Sequence, residues 1–445
     1  MLFLNVFFYY SDLSIAGIIL VKGMNSTTKK FSNTLKYALG PGLILAAAAI
    51  GVSHLVQSTR AGALYGFTLI WAVVIANLTK YPFLEFGPRY TVVMKESLIQ
   101  GYNRLGPWAI GSFGVFTVFT MCIVQAAVTV VTASLANELT GLDLSPLLMS
   151  AIILVICLFL LIKGQYSALD GAIKIILVVL TISTLIAVVV AFIKPAAMVK
   201  PSAPSIWDAA GISFLIALMG WMPILLDASA WHSLWIMERS KQTKQELHLK
   251  ETLIDFNIGM IGAGVLALAF LSLGALIMFG SATDFATSGS AFASQLVKLY
   301  TTTLGDWTYW IIIVCAFTAM FSTTLTVTDA YPRTCSHLFN LNRLDRPDEV
   351  PWYSSYRGLL VIISFFSLII LYFAGSNFIF MVDLATSVSF LTAPVFAVIN
   401  YKLIYSDHFP EDKRPSTWLK WLSWVGLVFI TGFAVLFMIW KFILS

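Results

Sequence analysis

Eleven apolar stretches of roughly 20 residues follow one another along this chain, at 40–60, 63–86, 107–136, 145–163, 168–194, 209–238, 252–280, 306–332, 356–374, 377–403 and 417–443. About 20 such residues in a helix cross the hydrocarbon layer of a bilayer. In lipid, an isolated segment satisfies its backbone groups only as a helix, and none of the stretches alternates apolar and polar residues as a barrel strand does. Charged residues make up 11% of the chain, against about 25% in soluble domains. A chain of 445 residues with so few charges cannot wet its own surface. Soluble enzyme, nucleic-acid binder and disordered scaffold are therefore excluded, and the expected partner is the lipid bilayer. Cys122, Cys157, Cys315 and Cys335 are far apart and form no CxxC pair, which suits buried, inert thiols.

The net charge of +5 reads as topology. Basic residues cluster before the first stretch (Lys29, Lys30, Lys36) and after the second (Arg89, Lys95, Arg104). They recur after the sixth (Arg239, Lys241, Lys244, Lys250), the eighth (Arg333, Arg343, Arg346) and the tenth (Lys402, Lys413, Arg414). The alternate loops are nearly bare. Because basic loops stay on the cytoplasmic side, the N-terminus is expected in the cytoplasm and the C-terminus outside, with the chain in the plasma (inner) membrane. Residues 1–37 then form a cytoplasmic N-terminal segment, of which 1–23 read as an interfacial, cleaved or mis-assigned leader.

Two stretches contain helix-breaking chemistry at mid-depth. The first runs Gly40-Pro41-Gly42, an alanine-rich run, then Gly51-Val52-Ser53-His54; the sixth reaches Gly220-Trp221-Met222-Pro223 after about ten apolar residues. They occupy corresponding places if 38–195 and 205–404 are two five-helix repeats, with 415–445 an eleventh, appended helix. An odd number of helices per repeat inserts the two halves in opposite senses. This is the sequence signature of a secondary transporter whose site lies at mid-membrane between broken helices. Unwinding frees backbone groups that lipid cannot satisfy, so they line a cavity, and the half-helix ends offer partial charges of both signs.

At these residues the chain resembles the Nramp divalent-metal transporters. Gly40-Pro41-Gly42, then Ala61-Gly62-Ala63 through Gly66-Phe67-Thr68-Leu69-Ile70-Trp71, looks like that family's first-helix region. Arg89-Tyr90-Thr91-Val92-Val93 resembles the segment after its second helix, and Met222-Pro223 falls where it has a Met-Pro-His motif. The resemblance runs from about 38 to 440 and implies an all-α membrane protein of about eleven transmembrane helices. It implies a LeuT-type 5+5 inverted repeat with helices 1 and 6 broken, and metal uptake coupled to protons. The departures are chemical. The family's Asp-Pro-Gly-Asn aligns with Gly51-Val52-Ser53-His54, so Gly51 stands for its metal-binding Asp and His54 for its Asn. Ile224 replaces the histidine after Met-Pro, and Gln125 stands where a membrane-buried acid is expected.

The candidate substrate site is accordingly Gly51, Ser53, His54, Gly220, Met222 and Asp227, with His54 and Met222 as metal ligands. An imidazole and a thioether suit a soft or borderline ion such as manganese or iron. Asp227, one turn past the sixth-helix break, stands in for the lost carboxylate or carries a proton; its bland alternative is a structural partner for Arg60 or His232. Arg60, Glu85, Arg89 and Asp383 are coupling or gating candidates, Glu85 and Arg89 as an ion pair. Hydroxyls at Ser322, Thr323, Thr324 and Thr326 could hold sodium, although such groups more often bond back to their own helix. No phosphate loop or HExxH motif occurs, so neither an ATP-driven pump nor an enzyme is expected, and no cofactor is. The expected activity is secondary transport of a divalent metal, coupled to protons or sodium. The alternative is transport of a small organic or anionic solute, enclosed by Trp221 and Trp231 and held by His54 and freed backbone groups.

Overall fold

The computed structural model describes residues 40–164, 166–193, 203–244, 246–281, 285–344, 346–374 and 377–439. The leader 1–23 and the rest of the N-terminal segment to residue 37 lie outside the described residues. Among these residues the secondary structure is helical throughout. We label the helices α1 (Pro41–Ala49), α2 (Ser53–Tyr65), α3 (Ile70–Met94), α4 (Leu98–Leu105), α5 (Pro107–Thr140), α6 (Pro146–Ile162), α7 (Tyr166–Ile193), α8 (Ala209–Gly220), α9 (Ala228–Thr243), α10 (Leu249–Met278), α11 (Gly289–Leu304), α12 (Tyr309–Phe339), α13 (Tyr356–Ala374), α14 (Phe378–Ile404) and α15 (Thr417–Ile439).

The expected spans fall on α1–α2, α3, α5, α6, α7, α8–α9, α10, α12, α13, α14 and α15. Among the described residues, six helices are long and apolar enough by themselves to cross a membrane, seven spans if the bent pair α1–α2 counts as one; α6, residues 178–193 of α7 and α8 are shorter apolar helices. The chain is a multi-pass membrane protein. Its outer faces carry the exposed leucine, isoleucine, valine and phenylalanine side chains that lipid tolerates, on α6, α7, α13 and α15 above all. Two short helices outside the spans, α4 and α11, were not expected. Ser97 starts α4 with a capping box, its hydroxyl accepting from the Gln100 N–H while the Gln100 side chain accepts from the Ser97 N–H.

The broken helices sit inside the bundle. α1 packs on α10 and α12, α2 on α10, and α8 on α14. The start of α1 has no cap of its own; instead the carboxylate of Asp255, from α10, accepts from the Gly40 and Gly42 N–H groups at 3.3 and 2.6 Å. A negative group at a helix N-terminus opposes the exposed N–H dipoles there. Farther along, α2 and α10 touch backbone to backbone. A methyl group on Gly62 would lie 2.0 Å from the Leu271 carbonyl oxygen, and one on Gly274 would lie 2.2 Å from that of Thr59. Small residues bring membrane helices this close because lipid, unlike water, does not drive apolar side chains together.

Candidate functional site

The first break is three residues long. α1 ends at Ala49, and the chain resumes as a π-helical turn over Ser53–Ser58 after a 44° bend. Gly51 lies in the gap, and the reason for glycine is steric: a Cβ there would meet Thr323 Oγ1 at 2.6 Å and Cγ2 at 2.8 Å. Thr323 is itself fixed, donating to Ala47 in α1 at 3.1 Å. The second break is wider, with Trp221–Asp227 unwound between α8 and α9. Gly220 closes α8 where a Cβ would lie 1.9 Å from the Thr386 carbonyl oxygen of α14.

The two breaks meet across a small cavity of about 20 Å³, room for a water molecule or a desolvated ion. Its walls are Ala49, Val52 and Ser53 from the first break, Trp221, Pro223 and Leu225 from the second, and Thr323 from α12. Trp231 of α9 also faces it, buried, with its indole N–H unpartnered among the described groups. The polar side-chain groups of the lining are thus two hydroxyls and two indole N–H groups, of which that of Trp221 donates to Ser389, with no carboxylate.

The expected metal ligands are not gathered here. His54 is buried on the side facing α10, where Nε2–H donates to the Ala263 carbonyl at 2.8 Å and Nδ1 meets the Ser53 hydroxyl at 2.7 Å. Both ring nitrogens are therefore used within the protein. Met222 is buried in an apolar cluster with Tyr65, Val73, Phe214 and Leu215, outside the cavity lining. A shared ion between His54 and Met222 is thus corrected by geometry: one side chain points to α10 and the other packs with α3 and α8. Among the described residues no group of three His, Cys, Asp or Glu side chains could hold a metal ion.

Asp227 is buried and does not line the cavity. Its partner is neither Arg60 nor His232 but the Tyr331 hydroxyl, which donates to it at 3.1 Å. Asp227 is also within electrostatic reach of Lys80, a residue passed over in the sequence. Lys80 stands in the middle of α3, only 1% exposed, and donates to the carbonyls of Met219 at 2.7 Å, Gly220 at 2.6 Å and Ile224 at 3.3 Å. A lysine inside an apolar run is itself a signal of intramembrane function.

The gating candidates lie at different levels of the bundle: Arg60 is five residues before the end of α2, and Glu85 and Arg89 are in the second half of α3, which begins at Ile70. At one level Arg60 of α2 donates to both oxygens of Asp383 of α14, at 2.8 and 2.9 Å, and Gln57 donates to the same carboxylate at 2.9 Å. Arg60 also lies over the Phe214 ring, 4.8 Å from its centroid. Beyond this pair opens a vestibule lined by Leu64, Phe285, Asn377 and Phe380. At the other level Arg89 grips Glu85 with two nitrogens and reaches the Lys413 carbonyl at 2.9 Å. Nearby, Asp329 accepts from Arg333 at 2.6 Å, Tyr356 at 2.6 Å and Trp235 at 3.1 Å, joining α12, α13 and α9. Every residue that lines the cavity is buried.

The hydroxyl cluster of α12 is mostly spent on backbone. Thr326 donates to Ser322, Thr324 to Val128 and Thr323 to Ala47, while the buried Ser322 hydroxyl has no partner among the described groups. Gln125 donates to Thr328 of α12 at 2.9 Å, an uncharged contact where the resemblance implied an acid.

This arrangement has relatives. An uncharacterized protein of Pasteurella multocida (strain Pm70) is 37% identical over 415 residues, covering 90% of this chain and 91% of its own. Among solved structures, the Eremococcus coleocola manganese transporter, in complex with an aromatic bis-isothiourea substituted compound, is 16% identical at a TM-score of 0.69 and covers 94% of this chain and 88% of its own. MhsT in complex with L-phenylalanine is 12% identical at a TM-score of 0.56, covering 89% of this chain and 97% of its own. At these identities the two structures speak for the fold, an all-helical LeuT-type transporter fold. The sequence profile of the family described as natural resistance-associated macrophage protein-like matches residues 42–440. The chain belongs to that family, Nramp, whose members are membrane transporters and not enzymes.

Proposed function

We propose that this protein is a secondary-active transporter that moves a metal ion through the cleft between its two broken helices by alternating access. The observation that supports this most is the meeting of the breaks at Gly51 and at Trp221–Asp227 across a cavity whose lining residues are all buried. Metal cargo is supported by the family and by the manganese transporter that shares the fold. The repeats are 38–195 and 205–404, the membrane is the plasma (inner) membrane, and the basic loops place the Arg89 and Arg333 end in the cytoplasm. Coupling is to protons or sodium.

With Gly51 in place of an acid and no carboxylate in the cavity lining, metal binding is weak. A bare divalent ion in a low-dielectric cavity needs a compensating charge, and none lines this one. That observation favours a second reading, a small organic or anionic solute, for which the unpartnered Trp231 N–H is a suitable donor.

A thermal-shift screen of purified protein separates the two. On the metal reading, a divalent metal ion such as manganese or iron(II) raises the melting temperature. Stabilisation by amino acids or small anions, with every metal silent, moves the assignment to the second reading.

A further inference from the structure

Breaking α8 leaves its last carbonyls without helical partners, and they converge on a single positive charge. The Lys80 ammonium has three N–H donors, and each finds a carbonyl: Met219 and Gly220 at the end of α8, and Ile224 in the unwound segment. The two shorter contacts, 2.7 and 2.6 Å, are charge-assisted. The negative end of the α8 dipole points at the same place, and Asp227, at the far end of the same unwound segment, acts on the ammonium electrostatically. Three carbonyl oxygens, a helix C-terminus and a carboxylate form an environment for a hard cation. Lys80 itself is absent from the cavity lining, so its ammonium holds the break from behind.

We propose that Lys80 is a tethered cation: its ammonium occupies a cation site built by the sixth-helix break, and removing it turns that site into one for a free monovalent cation. The side chain stabilises the unwound segment without any dissolved ion, and it engages carbonyls that cargo could otherwise coordinate. The assignment does not depend on which cargo the transporter carries, because it concerns the break's own carbonyls, of which only that of Ile224 belongs to a residue lining the cavity.

The test is thermal stability of the full chain in detergent, in sodium, potassium or choline chloride at equal ionic strength. Wild type is expected to melt at the same temperature in all three. Lys80→Ala is expected to melt lower in choline chloride. In sodium or potassium chloride it should regain about 1 °C for each kcal/mol of cation binding. Ethylammonium chloride, which restores the missing group, is expected to do the same. In Lys80→Ala/Asp227→Asn the midpoint salt concentration should rise at least about tenfold, the equivalent of 1.4 kcal/mol. A Lys80→Ala protein recoverable only in sodium or potassium supports the assignment. Equal melting of Lys80→Ala in all the salts would overturn it, as would a sodium or potassium requirement in wild type. Loss of fold in every salt, in both Lys80→Ala and Lys80→Met, reduces Lys80 to a packing role and also overturns it.

Discussion

Gly220→Ala is expected to cost about 3 kcal/mol or more of stability, at or beyond the upper end of what overpacking usually costs. The added methyl would lie 1.9 Å from the Thr386 carbonyl oxygen and 2.7 Å from the carbonyl carbon, both backbone atoms of α14. No side-chain rotation relieves such a contact, so α8 and α14 must separate. Separation would also pull Met219 and Gly220 away from Lys80, and Trp221 away from Ser389, which accepts from its indole N–H at 2.8 Å. Gly262→Ala is the control. It lies in α10, where an added methyl would meet nothing within 4 Å, and its effect should stay within about 0.5 kcal/mol. Thermal melts of the two variants and wild type decide it; a Gly220→Ala protein as stable as Gly262→Ala would mean that α8 and α14 are not in backbone contact.

The second large effect concerns Gly51→Asp. An acid at position 51 is expected not to create a metal site, because Thr323 occupies the space the new Cβ requires. The single variant should lose about 1–3 kcal/mol to overpacking. Thr323→Ala removes Oγ1 and Cγ2, the atoms at 2.6 and 2.8 Å, and leaves only Cβ at 3.1 Å. The combined Gly51→Asp/Thr323→Ala variant should therefore be more stable than the two single costs predict, a coupling of about 0.5–3 kcal/mol. It should also bind manganese at least about tenfold more tightly than wild type, since the carboxylate then takes the place of the Thr323 side chain, which lines the cavity. Calorimetry and melts of the four proteins read both quantities. Additive costs, or tight manganese binding by Gly51→Asp alone, would show that Thr323 does not exclude the acid.

Much of the fold was legible because lipid imposes coarse requirements. Span length and apolarity placed the helices, and Gly51 and Gly220–Pro223 placed the breaks, since such residues interrupt a spanning helix only where something else satisfies the backbone. The pairing of Glu85 with Arg89 was legible because the two are four residues apart on one helix face. The site was less so, for two physical reasons. The first is that the 3.6-residue period that assigns faces stops at a break. The π-helical turn at Ser53–Ser58 then shifts the register, so the direction of His54, toward Ala263 and away from the cavity, could not be extrapolated from α1. The second is sequence distance. Lys80 meets carbonyls 139, 140 and 144 residues away, and Asp255 caps α1 from more than 210 residues away. Backbone carbonyls carry no sequence signature, so a lysine that binds them looks like an isolated charge until the fold is seen.

The central claim is that the cavity between the two breaks opens in turn to each side of the membrane. Val128 of α5 lines that cavity and is 1% exposed, and cysteine there changes the volume little. In a background with Cys122, Cys157, Cys315 and Cys335 replaced, Val128→Cys is exposed to a membrane-impermeant thiol reagent, applied to right-side-out and then to inverted vesicles. The expected result is labelling from both sides, with Arg60→Ala raising the rate from its own side by loosening the pair with Asp383. Labelling from neither side, or from one side only, would contradict alternating access through this cavity.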